Sequence, residues 1–250
     1  MDLNSWYLKL EERHLRDRSF AEVRRSLQAL SAAYVQRGGR ERRATRGEGK
    51  RAAFALFYGT LHLVITGHVV RELGAVQRRP RRIVDFGCGT GVASAAWALA
   101  FKSPPSLLGI EVSPWAIEES AWTWRELGLK GRTRRANSLD VELLRTDAIV
   151  LGWTVNELDT TARESLLEAL LSQRTGPILL LEPIAKRLVP WWRSWQSRFE
   201  NLGGRSDEWR FETALPERLR LLDRAAGLDH RQLTARTLYL PAHRPRTSSP

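Results

Sequence analysis

The stretch Ile83-Val-Asp-Phe-Gly-Cys-Gly-Thr-Gly91 decides the fold. A short apolar run enters three glycines at alternate positions, and helical spacing follows over 91–101. A glycine loop between strand and helix brings backbone N–H groups close to a ligand at the helix start. The dinucleotide spacing Gly-x-Gly-x-x-Gly would need glycine at 92, where this chain has Val92.

The same rhythm continues outward. Apolar runs at 107–112, 148–151 and 178–181 alternate with helix-like stretches at 114–128 and 159–173. Strands interleaved with helices predict an α/β fold, a doubly wound, mainly parallel Rossmann-like sheet of about six to seven strands. A helix over 216–226 and a strand over 233–240 complete it, so 80–240 reads as one domain. Ahead of it, 1–79 reads as an N-terminal helical extension: helical periodicity over 3–36, a basic loop 37–51, and a helix over 51–74. That loop has seven basic residues, two acids, four glycines and no apolar face. The tail 241–250 reads as disordered.

Asp85-x-Gly87-x-Gly89-x-Gly91, followed by Glu111 at the end of the next strand, resembles the signature of class I S-adenosylmethionine-dependent methyltransferases. The resemblance implies S-adenosyl-L-methionine as cofactor. Gly87, Cys88, Gly89 and Gly91 would pass under its methionine end, with Cys88 only a small loop residue. Asp85 would order the loop or meet the ammonium group through water, and Glu111 would accept both ribose hydroxyls. Val112 falls beside the adenine. Asn137 and Ser138 fall where the family has an acid near the adenine amine, with Asp140 as the alternative. Ser113-Pro114 reads as a helix N-cap followed by proline at the first helical position.

Ligands in this fold sit at the carboxyl ends of the strands, so Gly152 and Trp153 should border the transferred methyl. Gly152-Trp-Thr-Val155 lacks the Asp/Asn-Pro-Pro-aromatic motif of amino-directed nucleic-acid methyltransferases. Cytosine C5 methylation needs a cysteine nucleophile, and the one thiol sits in the cofactor loop. Five scattered lysines do not offer the Lys-Asp-Lys-Glu tetrad of ribose methyltransferases. A proximity-driven enzyme with a modest base remains, or a cofactor-binding domain without turnover. Glu157, Glu182 and His62 are the base candidates. Tyr58 and His62, four apart on one helix, would close over the cofactor. Each has a plain alternative: Glu157 as a helix-start acid, Glu182 as a loop anchor, His62 as a core histidine bonded to backbone, and the Tyr58–His62 face as packing of that helix against the sheet. In the Trp-rich segment 189–210, Trp192, Trp195 and Phe199 share a helical face with arginines interleaved: these would stack bases and grip phosphates, or form an amphipathic lid whose Trp face is buried and which shapes the acceptor pocket.

A narrower resemblance, over residues 50–185, is to the mitochondrial and bacterial small-ribosomal-subunit methyltransferase-like family. It rests on the basic-then-apolar helix Arg51–Leu73, the glycine loop, Asn156-Glu-Leu158 and Leu181-Glu-Pro183. Some members hold an iron–sulfur site built by several cysteines; one cysteine cannot build it, so no metal site is expected.

The 250 residues are 42% hydrophobic with ten tryptophans, which excludes wholesale disorder. A net charge of +12 points to an anionic partner, RNA or a ribosomal component. Only five of the forty basic residues are lysine, a bias that base composition can also produce. Residues 1–51 hold thirteen basic and seven acidic residues, half of the surplus. The single cysteine and the absence of an apolar signal core at Met1–Trp6 predict a cytoplasmic protein. Thr60, His62, Thr66 and His68 make 52–70 read as a buried helix, with no membrane span. Three functions compete: a methyltransferase acting on RNA or a ribosomal component, one acting on a small molecule, and a non-catalytic RNA- or ribosome-binding assembly factor on the same fold.

Overall fold

A computed structural model describes residues 2–37, 45–136, 147–173 and 176–242. Its sheet runs in the order β3-β2-β1-β4-β5-β7-β6. The strands are β1 (Arg82–Phe86), β2 (Ser106–Glu111), β3 (Gly131–Arg135), β4 (Asp147–Gly152), β5 (Ile178–Glu182), β6 (Arg205–Glu212) and β7 (Gln232–Leu240). Strands β1 to β5 are parallel, and β7 returns antiparallel between β5 and β6. The order reverses beside β1, where a doubly wound sheet opens its crevice.

Period-2 alternation explains the layers. Ile83, Leu107, Ala148, Val150, Leu179 and Leu181 face one apolar layer, while Val84, Phe86, Leu108, Ile149, Leu151 and Leu180 face the other. The first layer is shared with α1 (Leu3–Leu15), α2 (Phe20–Arg37), α5 (Val92–Leu99), α6 (Pro114–Glu126) and α9 (Glu217–Ala225). The second packs under α7 (Thr160–Gln173) and α8 (Trp192–Glu200).

The helix expected over 51–74 is a continuous run built of α3 (Glu48–Ala53), a π-helical turn (Phe54–Gly59) and α4 (Thr60–Glu72). Glu48 to Arg51 are thus helical, and the basic loop ends earlier than expected; its residues 38–44 lie outside the described ones, as do 243–250 of the tail. The run of 25 residues is long and apolar enough to cross a membrane, but 67% of its most apolar window is buried within the fold.

The Trp-rich helix buries its Trp face, as the amphipathic reading has it, but Trp192 and Trp195 do not line the cavity, which corrects their expected contact with the acceptor. Trp192 and Trp195 are buried in the second layer, with Arg236 of β7 above Trp192 at 4.8 Å and Trp195 packed on Trp191 and Phe199. The helix amphipathicity that placed them on one face turns that face into the core. The segment's continuation, 205–212, is the edge strand β6, whose Trp209 donates from Nε1 to Thr237 at 2.9 Å.

Candidate active site

A cavity of about 700 Å³ opens at the carboxyl ends of the parallel strands. Its floor is the glycine loop. Gly87, Gly89 and Gly91 all have positive φ, at 64°, 52° and 75°. At Gly87 a Cβ would lie 2.3 Å from Thr154 Cγ2, so glycine is required by space as well as by conformation. Thr154 Oγ1 also donates to the Gly87 carbonyl at 3.0 Å, joining this loop to the one after β4. Gly91 turns into α5 and does not line the cavity; its carbonyl accepts from Trp124 Nε1 at 2.8 Å.

The acids occupy distinct environments. Asp85 is fully buried at the end of β1 and accepts from the Ser94 backbone N–H at 3.2 Å. Burial pushes its carboxyl up to about 7, with the nearby Glu111 charge adding to the rise. Glu111 ends β2, and its two oxygens accept from three backbone N–H groups: Gly89 at 3.1 Å, Val112 at 2.8 Å and Ser113 at 2.9 Å. Cys88 is buried, and burial with the Asp85 and Glu111 charges pushes its thiol well above the ordinary range. Such a thiol stays protonated and is a poor nucleophile. Val112 and Ala136 border the cavity beside Glu111. Asn137, Ser138 and Asp140 lie outside the described residues.

The opposite wall is aromatic. The π-helical turn rotates Phe54 and Tyr58 into the cavity beside His62 of α4. The His62 imidazole stacks on Trp153, centroids 3.6 Å apart and planes 3° apart. Trp153 has φ 55°, a conformation rare for a bulky residue and frequent where structure holds a functional geometry. Burial pushes the imidazole of His62 down to about 3, so it is neutral near pH 7 and a weak base.

The loop after β4 is held from below. Buried Glu182, at the end of β5, accepts from the Asn156 backbone N–H at 3.3 Å, and Asn156 Oδ1 accepts from Trp191 Nε1 at 3.0 Å. Buried Arg163 donates to the Val155 and Leu158 carbonyls. Burial pushes the Glu182 carboxyl up to about 8, so it is largely protonated near neutrality. Glu157, exposed on a short 3-10 turn, also lines the cavity, as do Gly152 and Trp153.

Sequence reasoning missed His230, a residue of the wall, and its buried partner Asp223. His230, just before β7, lines the cavity, and its Nδ1 lies 2.7 Å from Asp223 Oδ1. Their seven-residue separation spans the end of α9 and a turn, a spacing with no periodic signature. Among the described residues lining the cavity there is no lysine or arginine.

No family model matches the chain, and no curated protein matches it in sequence. Solved structures do. A provisionally assigned O-methyltransferase from Nostoc punctiforme PCC 73102 superposes with a TM-score of 0.55 at 15% identity, covering 95% of this chain and 72% of that one. A provisionally assigned RNA methyltransferase from Pyrococcus horikoshii gives 0.50 at 13% identity, covering 79% of this chain and 86% of the other. At such identities the likeness is one of fold: a Rossmann-like class I methyltransferase architecture.

Proposed function

We propose, from a chain that has the class I methyltransferase fold, that it is an S-adenosylmethionine-dependent methyltransferase whose acceptor is a small, apolar molecule without phosphate. One observation carries this reading. A single cavity joins the glycine loop and Glu111 to an aromatic wall, and no lysine or arginine lines it among the described residues. Its volume, about 700 Å³, falls within the range of small-molecule sites.

The residues present fit the cofactor. Glu111 Oε1 accepts from the Val112 and Ser113 N–H groups and Oε2 from Gly89 alone, so one lone-pair site on Oε2 is open to a ribose hydroxyl, and a second hydroxyl takes the place of one backbone donor. The positive-φ turns at Gly87 and Gly89 leave backbone room for the methionine end, and Asp85 offers a carboxylate to its ammonium. The cofactor supplies an electrophilic methyl on a sulfonium. A neutral His62 beside Trp153 puts no repelling charge against that cation. The chain's own part is then alignment and exclusion of water from the reacting centre, both of which favour an in-line transfer.

The charge surplus of +12 favours the RNA reading instead, yet among the described residues it does not enter the cavity. Calorimetry with S-adenosylmethionine, followed by tritiated-methyl transfer into RNA, protein and metabolite fractions, tests the proposal. Binding with label in the metabolite fraction supports it. Label in RNA, with affinity falling steeply in salt, overturns the acceptor assignment. Lack of cofactor binding overturns the whole reading.

A further inference from the structure

His230 and Asp223 form a side-chain pair that the cofactor does not require. Asp223 is buried in the last turn of α9. It accepts twice from the same residue: Oδ1 faces His230 Nδ1 at 2.7 Å, and Oδ2 accepts from the His230 backbone N–H at 2.9 Å. Two contacts to one carboxylate fix both the ring and its attachment point. With Nδ1–H donated to the carboxylate, the lone pair lies on Nε2. The His230 side chain is 32% exposed, and it lines the cavity. The edge of Phe57, from the π-helical turn, supports its ring at 5.1 Å. Its neighbours Asp229 and Arg231 pair with each other on the outer surface. Because β7 runs antiparallel to β5, the loop before β7 stands at the strand ends that carry Trp153 and Glu182.

We propose that His230 is the catalytic proton acceptor for an aromatic alcohol bound in this cavity, with Asp223 as its positioning residue. The proposal rests on the methyltransferase reading above. Aromatic rings along the wall suit a flat acceptor, and the lack of a lysine or arginine among the described lining residues disfavours an anionic one. A phenol keeps its proton near neutral pH, with a reference value of about 10 for the tyrosine hydroxyl, and attacks poorly until it loses that proton. As the proton passes from the hydroxyl to His230 Nε2, the oxygen's electron pair bonds the methyl carbon. The carbon–sulfur pair stays on sulfur, so the positive charge of the sulfonium reappears on the imidazolium. The products are the aryl methyl ether and the neutral thioether. Solvent then takes the proton from His230.

The test uses the full chain and a panel of phenols from phenol to 4-nitrophenol, with His230→Gln and Asp223→Asn. The wild type should methylate members of the panel. His230→Gln should lower kcat at least 100-fold on the least acidic phenol and less than about 10-fold on 4-nitrophenol, which needs little help to ionise. Both variants should bind S-adenosylmethionine with wild-type affinity, which separates failure here from failure of the cofactor reading. Nitrogen NMR of the protein without ligand should show the Nδ1–H tautomer of His230, displaced in Asp223→Asn, whose amide presents a donor to Nδ1 or surrenders the backbone bond. A wild type that binds cofactor but methylates no phenol, or a loss in His230→Gln that is equal across the panel, overturns the proposal.

Discussion

Glu111 carries more of the site than its single charge implies. Three backbone donors converge on two oxygens, so the carboxylate organises the Gly89 turn and the start of α6 before any ligand arrives. Removing it therefore acts twice. Glu111→Ala deletes the acceptor for the ribose and leaves Gly89, Val112 and Ser113 without theirs. Hydrogen bonds to a charged group contribute about 1.5–3 kcal/mol each. Losing the ribose contact together with the loop's shape should weaken S-adenosylmethionine by about 100-fold or more by calorimetry. Glu111→Gln keeps one acceptor oxygen and should fall between the two. Equal affinity in wild type and Glu111→Ala would remove this residue from the site. The contrast with Asp85 is one of environment: an acid on the neighbouring strand, two residues away in register, is buried toward neutrality, whereas Glu111 is held by backbone amides.

At the scale of elements, one tryptophan sets the distance between the glycine loop and the sheet. Trp124 of α6 is 1% exposed and fills the space left by Gly91 in the loop, Gly109 in β2 and Gly131 in β3. A Cβ at any of the three would lie within 2.9 Å of its indole. Trp124→Phe loses the bond to the Gly91 carbonyl and opens a void, a combined cost of about 2–4 kcal/mol. Urea unfolding should show that loss. Cofactor affinity should also fall several-fold, although Trp124 does not line the cavity; unchanged affinity would mean that the loop holds its shape without the indole. Legibility in the sequence follows the same physics. Strands β1, β2, β4 and β5 are buried on both faces and appear as apolar runs. Strand β3, Gly-Arg-Thr-Arg-Arg, sits at an edge and lacks such a run. So does β6, whose alternating charges and aromatics resembled a lid rather than a strand. The glycine loop and Glu111 are local in sequence and could be read there. The π-helical turn, the seating of Trp192 and Trp195 away from the cavity, and the His230–Asp223 pair depend on packing between distant segments and could not.

Across the whole molecule, charge and chemistry are separated. Among the described residues no lysine or arginine lines the cavity, while two arginines tie the N-terminal helices down: Arg13, with His14 of α1, clasps Glu119 of α6, and Arg218 of α9 pairs with Glu11 of α1. Burial pushes two interior acids, Asp85 and Glu182, upward, and this shapes stability against pH. Glu182 is raised to about 8 when folded, above the 4.5 of a free glutamate. The folded state thus keeps a proton that the unfolded chain has released, so stability falls as pH rises and the loss ends above about 8. Asp85, raised to about 7, acts in the same sense but is complete near that pH. His62, lowered to about 3, acts oppositely, adding stability as pH rises to the free-histidine value of 6.5 and nothing beyond it. Between pH 7 and 8 Glu182 therefore dominates among these three groups. The wild type should lose about 1 kcal/mol over that unit in urea unfolding. Glu182→Gln mimics the protonated acid in shape and keeps an oxygen for the Asn156 backbone N–H. Its stability should match the wild type below about pH 4.5, where the acid is protonated folded and unfolded alike, and exceed it by a margin that grows with pH up to about 8. A wild-type curve that is flat or rising over this interval would show that Glu182 is ionised where it stands.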